Sequence, residues 1–182
     1  YNNEQWALLY SSSDIEVLKD AELKEHSFLR NLGPDVLAPE VTAADVRARL
    51  LDNRFRRRRL AALYLDQSFL CGPGNYLRSE ILFAAGLHPE LRPMDLDEGQ
   101  VERLSHASLE ISRRSYKTRG ITNDPDLAKR LKQEGWPRSR YRHYVFARAG
   151  DACHVCDSKI RIESYGSRRL YFCPRCQPAP VR

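Results

Sequence analysis

Apolar positions recur at helical spacing through the middle of the chain and alternate only near its two ends. Residues 5–10, with the run Trp6-Ala7-Leu8-Leu9-Tyr10, read as a short strand, and residues 11–14 as a polar turn. A short helix is predicted over 21–25 behind Asp20 as cap, and Gly33-Pro34-Asp35 then breaks the chain. From Thr42 the pattern turns helical, with Asp45 at capping distance and Val46 and Leu50 on one face. A second helix is predicted over 57–66, with Leu60, Leu63 and Tyr64 inward and apolar residues too dense for an exposed helix. Leu70-Cys71-Gly72-Pro73-Gly74 cannot continue it, and a new helix begins with Asn75 as N-cap. Leu77, Ile81, Ala84 and Ala85 then follow before Gly86 closes the element. The result is helix, tight double turn, helix. A further helix over 97–113 carries Val101, Leu104 and Ile111 on one side, with Asp97 and Gln100 as a capping pair. Residues 115–142 are polar and weakly periodic, and are predicted as a long loop with one helical turn around 127–131. Two strands, 158–163 and 168–172, are predicted to form a hairpin with Tyr165-Gly166 in its turn.

At 182 residues and 42% hydrophobic content, the chain can build one or two small domains with a modest core. No stretch approaches the ~18 apolar residues of a membrane span, and no signal-peptide pattern opens the chain, so a soluble protein of a reduced, intracellular compartment is expected. The net charge of +6 comes from 30 Lys plus Arg against 24 Asp plus Glu, with clusters at 54–59, 113–114, 138–142 and 168–169. Such clusters point to a polyanion partner, although any single one could be a solvated basic face. Tyr1 is not an initiator methionine, and the strand at 5–10 enters with no partner strand. Both read as signs of a fragment, since a lone strand leaves its edges unpaired.

Chemistry concentrates at the end of the chain. Cys153-x-x-Cys156 is followed by sixteen residues and then Cys173-x-x-Cys176. Two-residue gaps let paired sulfurs reach one tetrahedral ion at about 2.3 Å, so one structural Zn2+ is expected on these four cysteines. Two disulfides are the alternative, which the size and charge of the chain disfavour. A glycine-flanked turn ending at Gly74, Asn75 and Tyr76 could bind an anion at a helix N-terminus, or Asn75 could simply cap its own helix. Arg168, near the tip of the predicted hairpin, could fork onto phosphate oxygens or could stand in solvent. His26, His88, His106, His143 and His154 form no constellation with a nucleophile. Cys71 reads as a small side chain in a tight turn.

These motifs together resemble a known family. Leu65-Asp66-Gln67-Ser68 with Gly72-x-Gly74-Asn75-Tyr76, then Glu80-Ile81-Leu82-Phe83-x-Ala85-Gly86-Leu87-His88-Pro89, resembles the helix-two-turn-helix core of the formamidopyrimidine-DNA glycosylase and endonuclease VIII family. Ser167-Arg168-x-Leu170-Tyr171-Phe172-Cys173-Pro174-x-Cys176-Gln177 is similar to its terminal zinc finger. Ser115-Tyr116-x-Thr118-Arg119-Gly120 and Tyr10-Ser11-x-Ser13-Asp14-Ile15-Glu16 point to the endonuclease VIII branch. The resemblance implies a mainly α fold: a remnant of a missing β-sandwich domain and linker at 1–38, a helix-two-turn-helix domain at 39–146 and a four-cysteine finger at 147–182. It implies that Asn75 and Arg168 clamp phosphates around an extruded damaged nucleotide, with Gly74 and Tyr76 in the same site and Arg168 aiding a later elimination step. Where the family often carries a basic residue before its apolar-Gly-Pro turn, this chain has Asn31, with Arg30 one position earlier. The family's N-terminal proline nucleophile, adjacent glutamate and loop lysine have no counterpart here. The implied function is therefore the DNA-binding part of a glycosylase and apurinic-site lyase acting on oxidised bases, pyrimidines in particular. It would be a monomer on damaged or abasic duplex DNA in a bacterial cytoplasm. A non-enzymatic nucleic-acid module with a zinc ribbon, of ribosomal or topoisomerase type, is the alternative, and a zinc-stabilised protein-interaction module fits the basic charge poorly.

Overall fold

A computed structural model describes residues 6–10, 14–23 and 25–180, with backbone alone for 6–10 and 14–17. Strand β1 (Trp6–Tyr10) pairs antiparallel with β2 (Asp14–Leu18), Trp6 facing Leu18 and Tyr10 facing Asp14. This corrects the reading of an unpartnered strand: the alternating Ile15, Val17 stretch supplies the partner. The turn at 11–13 lies outside the described residues. Helices α1 (Asp20–Leu23) and α2 (Ser27–Arg30) are single turns, the second not anticipated.

Helix α3 (Ala43–Leu51) starts on the expected capping box between Thr42 and Asp45 and buries Val46 and Leu50. Helix α4 is only Leu60–Leu63, shorter than the 57–66 predicted. Arg59 is extended at ψ 139°, and Asp66 turns its carboxylate onto the Ser68 N–H at 2.8 Å, so both flanks are turns. Helix α5 (Asn75–Ala85) ends on Gly86 at φ 69°, as expected of a left-handed cap. Its N-cap is Gly74, and Asn75 is the first helical residue, which corrects the capping role given to Asn75. Ala84 is exposed, while Leu77, Ile81 and Ala85 face inward.

A 3-10 turn (Pro93–Asp95) leads to α6 (Glu98–Lys117), which begins on the Asp97/Gln100 capping box and runs four residues past its predicted end. The segment after it is more ordered than a long loop. Asp124 caps α7 (Pro125–Gln133), with Pro125 at its first turn, and α8 (Arg138–Tyr141) follows. Strands β3 (Arg161–Tyr165) and β4 (Arg168–Phe172) form the hairpin, shorter at its start than predicted, and Tyr165 pairs with Arg168 so that Gly166 and Ser167 make the turn.

One core joins these pieces. Val46, Leu50, Leu60, Leu63, Tyr64, Phe69, Leu77, Ile81, Leu104 and Ile111 pack with Leu170 and Phe172 of the hairpin. A second cluster of Phe83, Val145, Cys153, Ile160 and Cys173 ties the cysteine knuckles to the outer face of α5. Burying Leu170 and Phe172 stabilises this docking by about 2 to 3 kcal/mol per side chain.

Candidate nucleic-acid interface and metal centre

The turn that precedes α5 is braced by the chain segment at 33–36. Gly33 N donates to Gln67 O at 2.8 Å, Cys71 N to Pro34 O at 2.9 Å and Val36 N to Cys71 O at 3.1 Å. A Cβ on Gly33 would meet Phe69 O at 2.5 Å, so only glycine allows this approach. Gln67 spans the turn, donating to Pro73 O and accepting from Gly72 N, both at 2.9 Å. Gly72 takes φ 111°, which turns the chain into Gly74. No side chain caps α5 at Gly74, so the first-turn N–H groups and the positive dipole end are presented.

Arg78, fully buried, organises the site. It lies one turn along α5 from Asn75, and its guanidinium donates to Ala61 O at 2.6 Å, Asn75 Oδ1 at 2.6 Å and Arg169 O at 3.3 Å. The last two bonds come from one nitrogen, Nη2, which brings the Asn75 side chain and the finger backbone together. A guanidinium only donates, so it claims the amide oxygen of Asn75 and leaves Nδ2 as the donor of that side chain. Arg168 occupies the same face of β4 as buried Leu170 and Phe172, because strand side chains alternate. That face packs on α5, so Arg168 stands exposed beyond the core edge on the side of Arg78. Burial first, and then the Arg168 charge, lower Arg78 to about 10. Buried Arg78 thus ties the start of α5 to the finger strand that carries Arg168.

Tyr76, half-buried, is held behind this front. Its hydroxyl lies 3.0 Å from Ser115 Oγ, and its ring contacts His143 at 5.5 Å and Phe146 at 6.1 Å. Buried Glu80 accepts from Tyr144 N at 2.7 Å, Val145 N at 2.9 Å, Phe146 N at 2.8 Å and Thr122 Oγ1 at 2.5 Å. Burial pushes its carboxyl up while these four donors pull it down. His143 accepts at Nε2 from Arg142 at 2.8 Å and meets Thr122 Oγ1 at 3.0 Å. Arg30 ends α2, exposed, and Asn31 spends its amide on Ser27 O at 2.8 Å. Arg78 and Glu80 were missed in the sequence because a charge inside an apolar helix is read as exposed. The Asn75-to-Arg78 spacing, one helical turn, was the available signal.

The four cysteines converge as predicted, with all sulfurs within 4.8 Å of one another. Sγ separations are 3.9 Å for Cys153 to Cys176, 3.4 Å for Cys156 to Cys173 and 3.5 Å for Cys156 to Cys176. These are far beyond a disulfide bond and close to the edge of about 3.8 Å expected for a tetrahedron with metal–sulfur bonds of about 2.3 Å. Val155 N and Cys176 N each donate to a sulfur, Cys153 Sγ and Cys173 Sγ respectively, at 3.5 Å. Burial raises Cys153, whereas hydrogen bonds from Ser158 lower Cys156 to about 6. The donor set and its geometry fit one divalent metal ion. Cys71, by contrast, is raised by burial and the Asp35 charge.

The family description "Formamidopyrimidine-DNA glycosylase H2TH domain" matches residues 32–125. Among curated proteins, Endonuclease 8 of an Enterobacter species is 47% identical over 170 residues, covering 93% of this chain and 61% of its own length. Endonuclease 8 of Salmonella enteritidis is 46% identical with the same coverage. The chain thus spans about three fifths of these relatives. The MutM (Fpg) protein of Thermus thermophilus superposes with TM-score 0.73 at 27% identity, over 92% of this chain and 61% of that one. Lactococcus lactis Fpg, in its complex with DNA containing an abasic site, gives TM-score 0.70 at 21% identity over 91% and 58%, a likeness of fold. With the family match spanning more than half of its residues, the chain belongs to the formamidopyrimidine-DNA glycosylase helix-two-turn-helix family.

Proposed function

We propose that this chain is the DNA-binding part of a base-excision glycosylase and apurinic-site lyase, and that Asn75 and Arg168 clamp backbone phosphates around an extruded nucleotide. The observation that carries the reading is the Arg78 bridge. It holds Asn75 by its amide oxygen beside an uncapped helix start and bonds the backbone of the finger strand that bears Arg168. Phosphate oxygens only accept, so they match this set of donors. Gly74 lets the phosphate approach the backbone, Tyr76 supports the helix through its hydroxyl contact with Ser115, and exposed Arg30 is proposed as a further phosphate contact. A Zn2+ ion on Cys153, Cys156, Cys173 and Cys176 would supply the rigidity that holds β4 against α5, with no part in bond breaking.

The family's amine nucleophile lies in a stretch that has no counterpart among these 182 residues, so the chain by itself is proposed to bind without turnover, in a bacterial cytoplasm. Oxidised pyrimidines are the proposed lesions, on the resemblance of residues 115–120 to the endonuclease VIII branch. Titration of the chain with abasic and intact duplexes over a salt series, with borohydride added at the end, tests this. The expected result is binding that falls steeply with salt and prefers the abasic duplex, with no covalent band. A strong covalent adduct would mean that an amine of this chain acts as nucleophile, and absence of salt-dependent binding would remove the DNA-binding reading itself.

A further inference from the structure

We propose that Tyr165 is a positioning residue for the clamp: held by Glu163 and Glu90, it fixes the hairpin tip and with it the direction in which Arg168 meets a phosphate. The inference rests on the DNA-binding reading above and names what supports one half of that site. Arg168 needs such a support. Its side chain makes no hydrogen bond or ion pair among the described residues, and the turn beside it stands in the open, where a Cβ on Gly166 would meet nothing within 4 Å. The bond from Arg78 reaches the finger at Arg169 O, one residue beyond Arg168 and away from the turn. Tyr165 lies on the other side, opposite Arg168 in the strand register.

Three contacts grip Tyr165. Its ring packs against the main core, its hydroxyl donates to Glu163 Oε2 at 3.0 Å, and Glu90 acts on the same hydroxyl from the loop at 88–91. Burial first, then Glu163 and then Glu90, push that hydroxyl above its ordinary 10, so it keeps its proton and remains a donor. Tyr165, Glu163, Glu90 and Arg59 all line one open cavity of about 1280 Å³. Glu163 belongs to the hairpin itself, whereas Glu90 belongs to the helical part of the chain, so Tyr165 links the two. The loop that carries Glu90 is anchored: Ala61 N donates to Pro89 O at 3.0 Å, Leu60 N to Leu91 O at 2.8 Å, and Glu90 N to His88 Nδ1 at 3.2 Å. His88 is buried edge-on against Phe172 at 5.1 Å, and Arg59 pairs with Glu90 at 3.3 Å, offsetting its charge beside Glu163. The start of α4 thus braces the hairpin twice, through Ala61 O and Arg78 inside and through Arg59 and Glu90 at the rim. A two-stranded hairpin is marginal alone, so a side-chain support at its last pair decides how far the tip wanders.

Abasic-duplex affinity of the full chain, measured by anisotropy for Tyr165→Phe, Arg168→Ala and the pair, tests this, with circular dichroism as the check on folding. Tyr165→Phe keeps the ring in the core and removes the hydroxyl alone. It is expected to weaken binding roughly three- to tenfold with the helical signal of the parent, and to cost nothing further once Arg168 is gone. Glu90→Ala should reproduce the loss, and Glu90→Gln, which keeps an acceptor oxygen, should restore most of the affinity. Without DNA, the amide heteronuclear NOE of Gly166 and Ser167 should fall in Tyr165→Phe. Parental affinity in Tyr165→Phe beside a weakened Arg168→Ala would overturn the positioning role, as would the same loss with and without Arg168. Failure of the clamp reading would look different: Arg168→Ala would then bind as the parent does, while the hairpin tip would still loosen in Tyr165→Phe.

Discussion

At the scale of single residues, the site depends on a side chain that touches no ligand. Arg78 sets the polarity of the Asn75 amide and bonds the finger backbone, so its loss should cost both stability and affinity. Arg78→Lys keeps a charge but cannot fork to three acceptors. It is expected to lower unfolding free energy by about 1 to 3 kcal/mol in urea titration. It should also weaken abasic-DNA binding although the residue is buried; unchanged binding with lowered stability would reduce Arg78 to a core residue. His143 gives a second prediction. Burial, and then Arg142, Arg138 and Arg148, lower it from an ordinary 6.5 to about 3. Its folded value lies below its unfolded one, so the unfolded chain binds the proton first as pH falls. The resulting stability is whole above pH 6.5 and is lost on descent toward pH 3. The parent's stability should therefore drop more steeply between these limits than that of His143→Gln, and the His143 ring should show no NMR titration between pH 5 and 8.

At the scale of elements, legibility followed the agreement of cap and period. Helices α3, α5 and α6 were readable because a capping signal and an apolar stripe coincide, at Thr42, at Gly86 and at Asp97. Helix α7 was reduced to one turn because its buried side is only Ala128 and Leu131, although Asp124-Pro125 is a helix start. Strand β2 is not legible in the sequence because its alternating pattern is short, and only its first residue, Asp14, falls within the turn expected at 11–14. Helix α4 was overextended because periodicity does not reveal that Asp66 folds back on Ser68. The cysteine site was the most legible of all, since its spacing states its geometry. Its removal should act locally: chelation is expected to disorder the hairpin while most helical circular dichroism remains, because Leu60, Leu63, Leu77 and Ile81 need no metal. The melting temperature should nevertheless fall, since Leu170 and Phe172 belong to the main core. Loss of nearly all helix on chelation would show that the two modules do not stand apart.

At the scale of the whole molecule, a shared core lets one face collect donors from distant parts of the chain. Helix α5 carries Asn75, the hairpin carries Arg168, and in the proposed reading the net charge of +6 would draw a polyanion toward both. The central claim is that these two residues act as one clamp through Arg78. A double-mutant cycle on abasic duplex affinity tests it most directly, with Asn75→Ala, Arg168→Ala and the pair measured by anisotropy at one salt concentration. Each single change is expected to cost about 1 to 3 kcal/mol, and the pair less than their sum, because losing either donor loosens the phosphates the other holds. Unchanged affinity in both single variants would contradict the clamp and leave Asn75 and Arg168 as residues of the fold alone.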